Sequence, residues 1–389
     1  MMPMEIAPGI YDVGATDWIV RDFHGYKTER GASYNSYLIV DEKICLIDTV
    51  KACYAEELLE KISRVADPAK IDYVVVNHVE PDHAGALPEV LKAAPNAKFV
   101  ITMQGKNEAL RHYGDGFDFM VVKEGDKISL GSRELTFVPM PMLHWPDNMV
   151  TYCPQDGILF SNDAFGQHYA SSKRFDDEVD GYVLFYEAKK YFANILWPYA
   201  RLIGGALKKA SALDIKMIAP AHGVIWRSKI AQILEKYAAW GTGVNGKSVV
   251  IAYDTMWGGT EALARAMVEG AAAAGVKVQL MRMDRTPCST VAAELFEAGG
   301  LLVGSPTLNS GMMPTIGGML VYLKGLQPKG KKAAAFGTCG WAGGAQKDME
   351  AMLTAGGFDL QPGFNCKWRA CVDETEAARQ FAYEFAKNL

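Results

Sequence analysis

Residues 71–85 read IDYVVVNHVEPDHAG, a β-branched run from Ile71 to Asn77 that opens directly into His78, Glu80, Asp82 and His83. A compact apolar run of this kind predicts a buried strand. The four polar side chains then emerge at its carboxyl end, where open α/β architectures place their sites, and a loop is the geometry that can aim all four at one region. Alone, the pattern H-x-E-x-D-H is also compatible with a solvated turn. Three later stretches weigh against that. His144 (MLHWPD, 142–147) follows the strand-like Glu134–Pro139, Asp163 (FSNDAFG, 160–166) follows Gly157–Phe160, and His222 (MIAPAHG, 217–223) follows another apolar run. Each is unremarkable singly. Jointly they put four of the chain's seven histidines and three carboxylates just past strands, so all can gather on one edge of a sheet structure.

The surrounding rhythm supplies that structure. Ser36–Val50 predicts two strands joined at Asp41-Glu42-Lys43, and several strand-length pieces lie between Lys123 and Phe160. Helical periodicity marks Ala55–Val65, Leu87–Ala93, Tyr186–Ala210 and Ile230–Trp240. Strands in two groups with helices outside them predict an αββα sandwich. Three glycines within 241–246 interrupt the pattern, and the domain boundary is placed there, with domains at 1–243 and 247–389.

Beyond the boundary, strands at Ser248–Tyr253, Lys277–Met283, Leu301–Ser305, Lys332–Gly337 and Phe358–Lys367 alternate with helices at Glu261–Ala274, Val291–Ala298, Ile316–Lys324, Ala345–Ala355 and Glu374–Asn388. This alternation predicts a doubly wound parallel α/β sheet of order 2-1-3-4-5. The first strand runs into Asp254-Thr255-Met256-Trp257-Gly258-Gly259-Thr260, where hydroxyls, flexible glycines and a helix N-terminus make a phosphate loop. It is neither G-x-G-x-x-G nor a Walker sequence, which weakens dinucleotide and ATP readings. The loops 304–311, with Pro306, Thr307, Leu308 and Asn309, and 337–343, with Thr338, Gly340 and Trp341, end the third and fourth strands and meet the first at the switch point. Cys339 in the last loop is open between a redox and a packing role.

Composition excludes several classes. The 389 residues, 49% hydrophobic and 22% charged, suit two folded domains, and a net charge of -5 argues against a nucleic-acid or anionic-membrane partner. No apolar run approaches the ~18 residues of a membrane helix, and no signal peptide is evident, so a cytoplasmic location is expected. Seven cysteines without a C-x-x-C pair fit neither a disulfide framework nor a zinc ribbon or rubredoxin-type iron site.

The H-x-[EH]-x-D-H loop, the later His144, Asp163 and His222, and the strand end Leu46-Ile47-Asp48-Thr49 resemble the metallo-β-lactamase fold. Zinc hydrolases of that fold usually carry histidine where this chain has Glu80. The extra carboxylate supplies a harder, anionic donor, suited to two redox-active irons. By that resemblance His78, Glu80 and His144 would hold one iron and Asp82, His83 and His222 the other, with Asp163 bridging ions roughly 3.5–4 Å apart. The three loops of the second half are flavodoxin-like: Thr255, Met256, Trp257, Gly258, Gly259 and Thr260 would hold the phosphate of FMN, and the other two loops would flank its ring. His24 and His168 are open between proton donors beside the metal pair and structural residues, and His112 reads as exposed.

The two halves in this order resemble the flavodiiron proteins (A-type flavoproteins). The resemblance implies four-electron reduction of O2 to water, with two electrons from reduced FMN and two from the iron pair, or reduction of two NO to N2O, which needs only two electrons. It further implies a head-to-tail homodimer, or a dimer of such dimers, and a separate electron donor, rubredoxin or F420H2. A hydrolase with an accessory flavin domain, and an electron carrier with a metal-free N-terminal scaffold, are the competing readings.

Overall fold

Alternation of side chains along the strands of the first half creates two apolar surfaces. In the computed structural model, which describes residues 2–389, Leu38, Leu46, Val74 and Phe99 pack with Leu58, Ile62, Leu87 and Val90 of the helices Ala55–Ser63 and Leu87–Ala93. Their chain neighbours Ile39, Ile47, Val75 and Val100 face the opposite way and meet Phe137, Met149, Phe160 and Ala219. The first set of strands belongs to a seven-stranded sheet whose central members are Tyr37–Val40, Ile44–Ile47, Ile71–Val75 and Lys98–Ile101. The second belongs to a five-stranded sheet running Lys127–Ser129, Glu134–Pro139, Met149–Cys153, Ile158–Asn162, Met217–Pro220. The result is an αββα sandwich with its core between two sheets.

The same alternation organises the second half. Val250, Ala252, Leu301, Val303, Ala333 and Ala335 pack with Val291, Ile316, Leu320 and Met349 on one face. Val249, Ile251, Leu302, Ala334 and Phe336 pack with Leu263, Met267, Ala378 and Phe385 on the other. Strands Gly246–Tyr253, Lys277–Arg282, Ala298–Pro306 and Lys332–Cys339 are parallel, and the spatial order is second, first, third, fourth, fifth. The fifth strand, expected as one piece, is two: Asp359–Leu360 and Phe364–Lys367 both pair with the fourth. Pro362 and Gly363 interrupt it, since proline cannot donate to the ladder.

One helix expected from periodicity is corrected. Tyr186–Ala210 is not continuous: a helix Gly181–Tyr191 passes into a π-helical stretch Phe192–Leu196, a 3-10 turn Trp197–Tyr199 and a second helix Ala200–Ala210. Pro198 sits in the break, where its missing N–H and its ring prevent a regular α-helix. Contacts divide the chain into two compact units. The first comprises residues up to Arg21 with Thr28–Tyr191 and Arg201–Ala238; the second comprises Asp22–Lys27, Phe192–Ala200 and Ala239–Leu389. The short hairpin Asp22–Phe23 and Tyr26–Lys27, which no sequence pattern announced, thus groups with the second unit.

Candidate metal centre and flavin pocket

The ends of three strands are tied together by one carboxylate. Asp48, just past the strand Ile44–Ile47, accepts the Asn77 backbone N–H at 2.7 Å and its side-chain amide at 2.9 Å, and the Asn162 amide at 3.3 Å. Asp48 and Asn162 both take left-handed backbone conformations, φ 53° and 51°, which Asp and Asn tolerate better than most residues. The brace fixes where the chain leaves the strands for His78 and for Asp163. Thr151 donates to the Asn77 side-chain oxygen at 2.7 Å, and burial pushes the Asp48 carboxyl above its ordinary range.

All seven side chains expected as ligands converge. His78, Glu80, His144 and Asp163 form one group of donor atoms and Asp82, His83 and His222 a second, each group lying within 4.8 Å. Asp163 faces both. Its Oδ2 lies 3.7 Å from His78 Nε2 and 3.5 Å from His144 Nε2, and its Oδ1 lies 3.0 Å from His83 Nε2 and 3.4 Å from His222 Nε2. Glu80 Oε2 is 3.3 Å from both His78 Nε2 and His144 Nε2, and Asp82 Oδ2 is 3.2 Å from His222 Nε2.

The donor set fits a pair of metal cations. Asp82 Oδ1, His83 Nε2 and Asp163 Oδ2 are buried and make no hydrogen bond, a costly arrangement that coordination would relieve. The electrostatics agree. Burial opposes protonation of His144, yet the Asp163 and Glu80 carboxylates beside it carry it up to about 9. His222 is carried up to about 10 in the same way, against burial, by Asp163 and Asp82. Burial would raise Asp163, but the surrounding imidazoles hold it well below the carboxylate range. A field that stabilises positive charge this strongly favours a metal ion.

The partners of the ligand rings select which nitrogen faces inward. The Asp147 carboxylate holds His78 Nδ1 at 2.9 Å and also accepts the Val79 N–H. His222 Nδ1 donates to the Ser33 carbonyl at 2.6 Å. Gly223 beside it has φ 78°, and a Cβ there would lie 2.0 Å from Gln167 Oε1, so only glycine fits that turn. Tyr191 donates its hydroxyl to Asp163 Oδ1 at 2.7 Å, and burial together with Asp163 pushes its pKa well up, so it keeps its proton. Asp147 stood unused in the His144 motif; Ser33 and Tyr191 carried no motif signal at all.

His168 is buried, its ring 5.1 Å from those of Tyr191 and His222, and burial holds its pKa well below the ordinary histidine value. It belongs to neither donor group. His24 is exposed in the hairpin of the second unit, its ring edge-on to Phe23 at 4.6 Å, and it too belongs to neither group. His112 lies exposed on the helix Met103–Tyr113.

In the second unit the three expected loops enclose a cavity of about 400 Å³. Thr255, Met256, Trp257 and Gly259 line it from the first loop, Pro306, Thr307, Leu308 and Asn309 from the second, and Thr338, Gly340 and Trp341 from the third. Gly258 and Thr260 stand behind the wall. Gly258 takes φ 81° as it starts the helix Gly259–Ala273 and donates its N–H to the Thr255 hydroxyl at 3.1 Å. The Thr260 hydroxyl lies 3.2 Å from that of Thr338. Hydroxyls at a helix N-terminus with apolar and aromatic walls beyond suit a phosphate carrying a flat ring, and the volume lies in the range of cofactor pockets. Cys339 also lines the cavity, and so does Trp368, which the sequence reading did not single out.

Comparison with known proteins agrees with both halves. Residues 32–223 match the model of the ODP family beta lactamases, and residues 251–381 match that of the flavodoxins. The chain is 46% identical to the nitric oxide reductase of Moorella thermoacetica, covering 100% of this chain and 99% of that protein. Among solved structures, the flavodiiron protein from Giardia intestinalis superposes with a TM-score of 0.97 at 39% identity, covering 100% of this chain and 96% of that one. The rubredoxin oxygen:oxidoreductase of Desulfovibrio gigas matches with the same score and identity, covering 100% and 98%. No described helix is long and apolar enough to cross a membrane. With relatives of this identity matched over their whole length, and both halves matched to family models, the chain belongs to the flavodiiron protein family.

Proposed function

We propose that this oxidoreductase reduces O2 to water with four electrons passed through FMN to an iron pair. The observation that carries the reading is Asp163, whose two oxygens each face one of two donor groups. His78, Glu80 and His144 would hold one iron, and Asp82, His83 and His222 the other, with Asp163 between them. Bound there, the irons would supply two electrons and an open coordination site to a diatomic molecule, and reduced FMN the other two electrons.

The chain's own groups do the rest. Deep burial of His78, His83, Asp163 and His222 excludes bulk water, and Glu80 and His144, each with 14% side-chain exposure, form the open side by which a small substrate enters. The Tyr191 hydroxyl holds a proton against Asp163. We assign His24 as a proton donor and His168, a neutral ring 5.1 Å from that of the ligand His222, as a relay that releases one proton as it takes up another.

Reduction of two NO to N2O is the second reading, favoured by the name of the Moorella relative. Anaerobic single-turnover of the fully reduced protein against each gas separates the two. Faster reoxidation by O2 supports the first reading, and reoxidation by NO alone replaces it with the second. An absence of iron after expression in iron-rich medium, with activity restored by zinc, would end both.

Four further assignments belong to the same proposal. Rubredoxin is the electron donor, on the strength of the Desulfovibrio protein's name, with F420H2 the alternative that the family resemblance implies. The protein works as a head-to-tail homodimer, or a dimer of dimers, in the cytoplasm; seven free thiols suit a reducing compartment. The domain boundary is the glycine-rich segment 241–246, between 1–243 and 247–389.

A further inference from the structure

The cavity of the second unit has a wall from a fourth loop. Trp368 follows the fifth strand, Phe364–Lys367, and extends its ladder by one bond, donating its N–H to the Cys339 carbonyl at 2.8 Å. Its backbone is left-handed, φ 57°, a region that bulky residues rarely adopt. That conformation turns the indole inward to line the cavity.

Two glycines make room for it. A Cβ on Gly340 would lie 2.9 Å from Cη2 of Trp368 and 3.0 Å from its Cζ3, so the indole lies directly on the backbone of the third loop. A Cβ on Gly259 would lie 2.9 Å from the Trp368 carbonyl oxygen, so the same residue presses on the first turn of the phosphate-loop helix. The Trp341 ring stands 5.7 Å from the Trp368 ring at 47°. Trp368 nevertheless keeps 64% of its surface exposed and Trp341 89%, a large apolar area left open beside a cavity.

We propose that Trp368 is a flavin-contacting residue: its indole, seated on Gly340, forms with Trp341 the aromatic wall against which the isoalloxazine ring lies. This rests on the assignment of the cavity to FMN. Planar rings gain from stacking on an indole, and the contact with Gly259 ties the position of that wall to the loop that would hold the phosphate.

The test uses the full-length chain, stripped of flavin and titrated with FMN while flavin fluorescence is followed. Trp368→Ala is expected to weaken FMN binding by about tenfold, equivalent to about 1.4 kcal/mol, and to leave the bound flavin more fluorescent, because an adjacent indole quenches it. Trp368→Phe should recover most of the affinity. Gly340→Ala keeps the indole but displaces it, so it should reproduce both changes. Wild-type affinity and quenching in Trp368→Ala would overturn the role of Trp368. Failure of the unaltered chain to bind FMN would instead overturn the flavin assignment itself.

Discussion

Asp163 and Asp147 illustrate how differently two buried aspartates act. Asp163 puts one oxygen toward each donor group, so Asp163→Ala is expected to abolish turnover and lower iron content while FMN stays bound, as read by metal analysis and flavin absorbance. Asp147 touches no proposed iron; it holds His78 Nδ1. Asp147→Ala should therefore weaken metal binding about 10- to 100-fold without removing a ligand, measured by competition with a chelator. Glu187 is a third case. Burial pushes its carboxyl up to about 7 from 4.5 despite Lys190 and the Arg30 guanidinium, 3.2 Å away. The folded state binds this proton more tightly than the unfolded chain, so the stability it confers is full at low pH and is lost as pH rises through about 7. Glu187→Gln, neutral at every pH, should flatten that slope and stabilise the protein at pH 8 by about 2–3 kcal/mol, seen in denaturant titrations at pH 5 and pH 8. Unchanged pH dependence would contradict the assignment.

At the scale of elements, the strand ends matter more than the strands. Asp48 joins the ends that lead to His78 and Asp163, and Asp48→Ala would leave the Asn77 N–H and amide without their acceptor. Each buried unsatisfied donor costs about 1–3 kcal/mol, partly offset by relief of a buried carboxylate, so a net loss of about 2 kcal/mol with reduced iron occupancy is expected by thermal unfolding and metal assay. The ligands themselves were legible because chemistry-bearing residues sit directly after β-branched or apolar runs, a local pattern. The bracing roles of Asp48, Asp147 and Tyr191 were not, even though Asp48 stands in a recognised strand end, because their partners Asn77, His78 and Asp163 are 29, 69 and 28 residues away and no short-range period connects them. The same limit explains the helix around Pro198: apolar spacing runs on through the π-helical Phe192–Leu196, and periodicity alone does not register the change of winding.

Across the whole molecule, two units with separate cores predict separable responses to their cofactors. Ligand that binds only the folded second unit stabilises it by mass action. Adding FMN to flavin-free protein should raise the unfolding transition of that unit, and a chelator should lower the other, as resolved by calorimetry. Both layer architectures could be read from strand rhythm alone, since each half repeats its period several times. The grouping of Asp22–Lys27 and Phe192–Ala200 with the second unit could not, because it is decided by contacts far along the chain.

A carboxylate that faces two donor groups at once makes their filling interdependent. The first ion to arrive pins the Asp163 side chain, with its second oxygen already aimed at the neighbouring position. Half-filled protein is then the scarce species, and uptake of ferrous ion by the metal-free chain should follow a sigmoidal curve that becomes hyperbolic in Asp163→Asn.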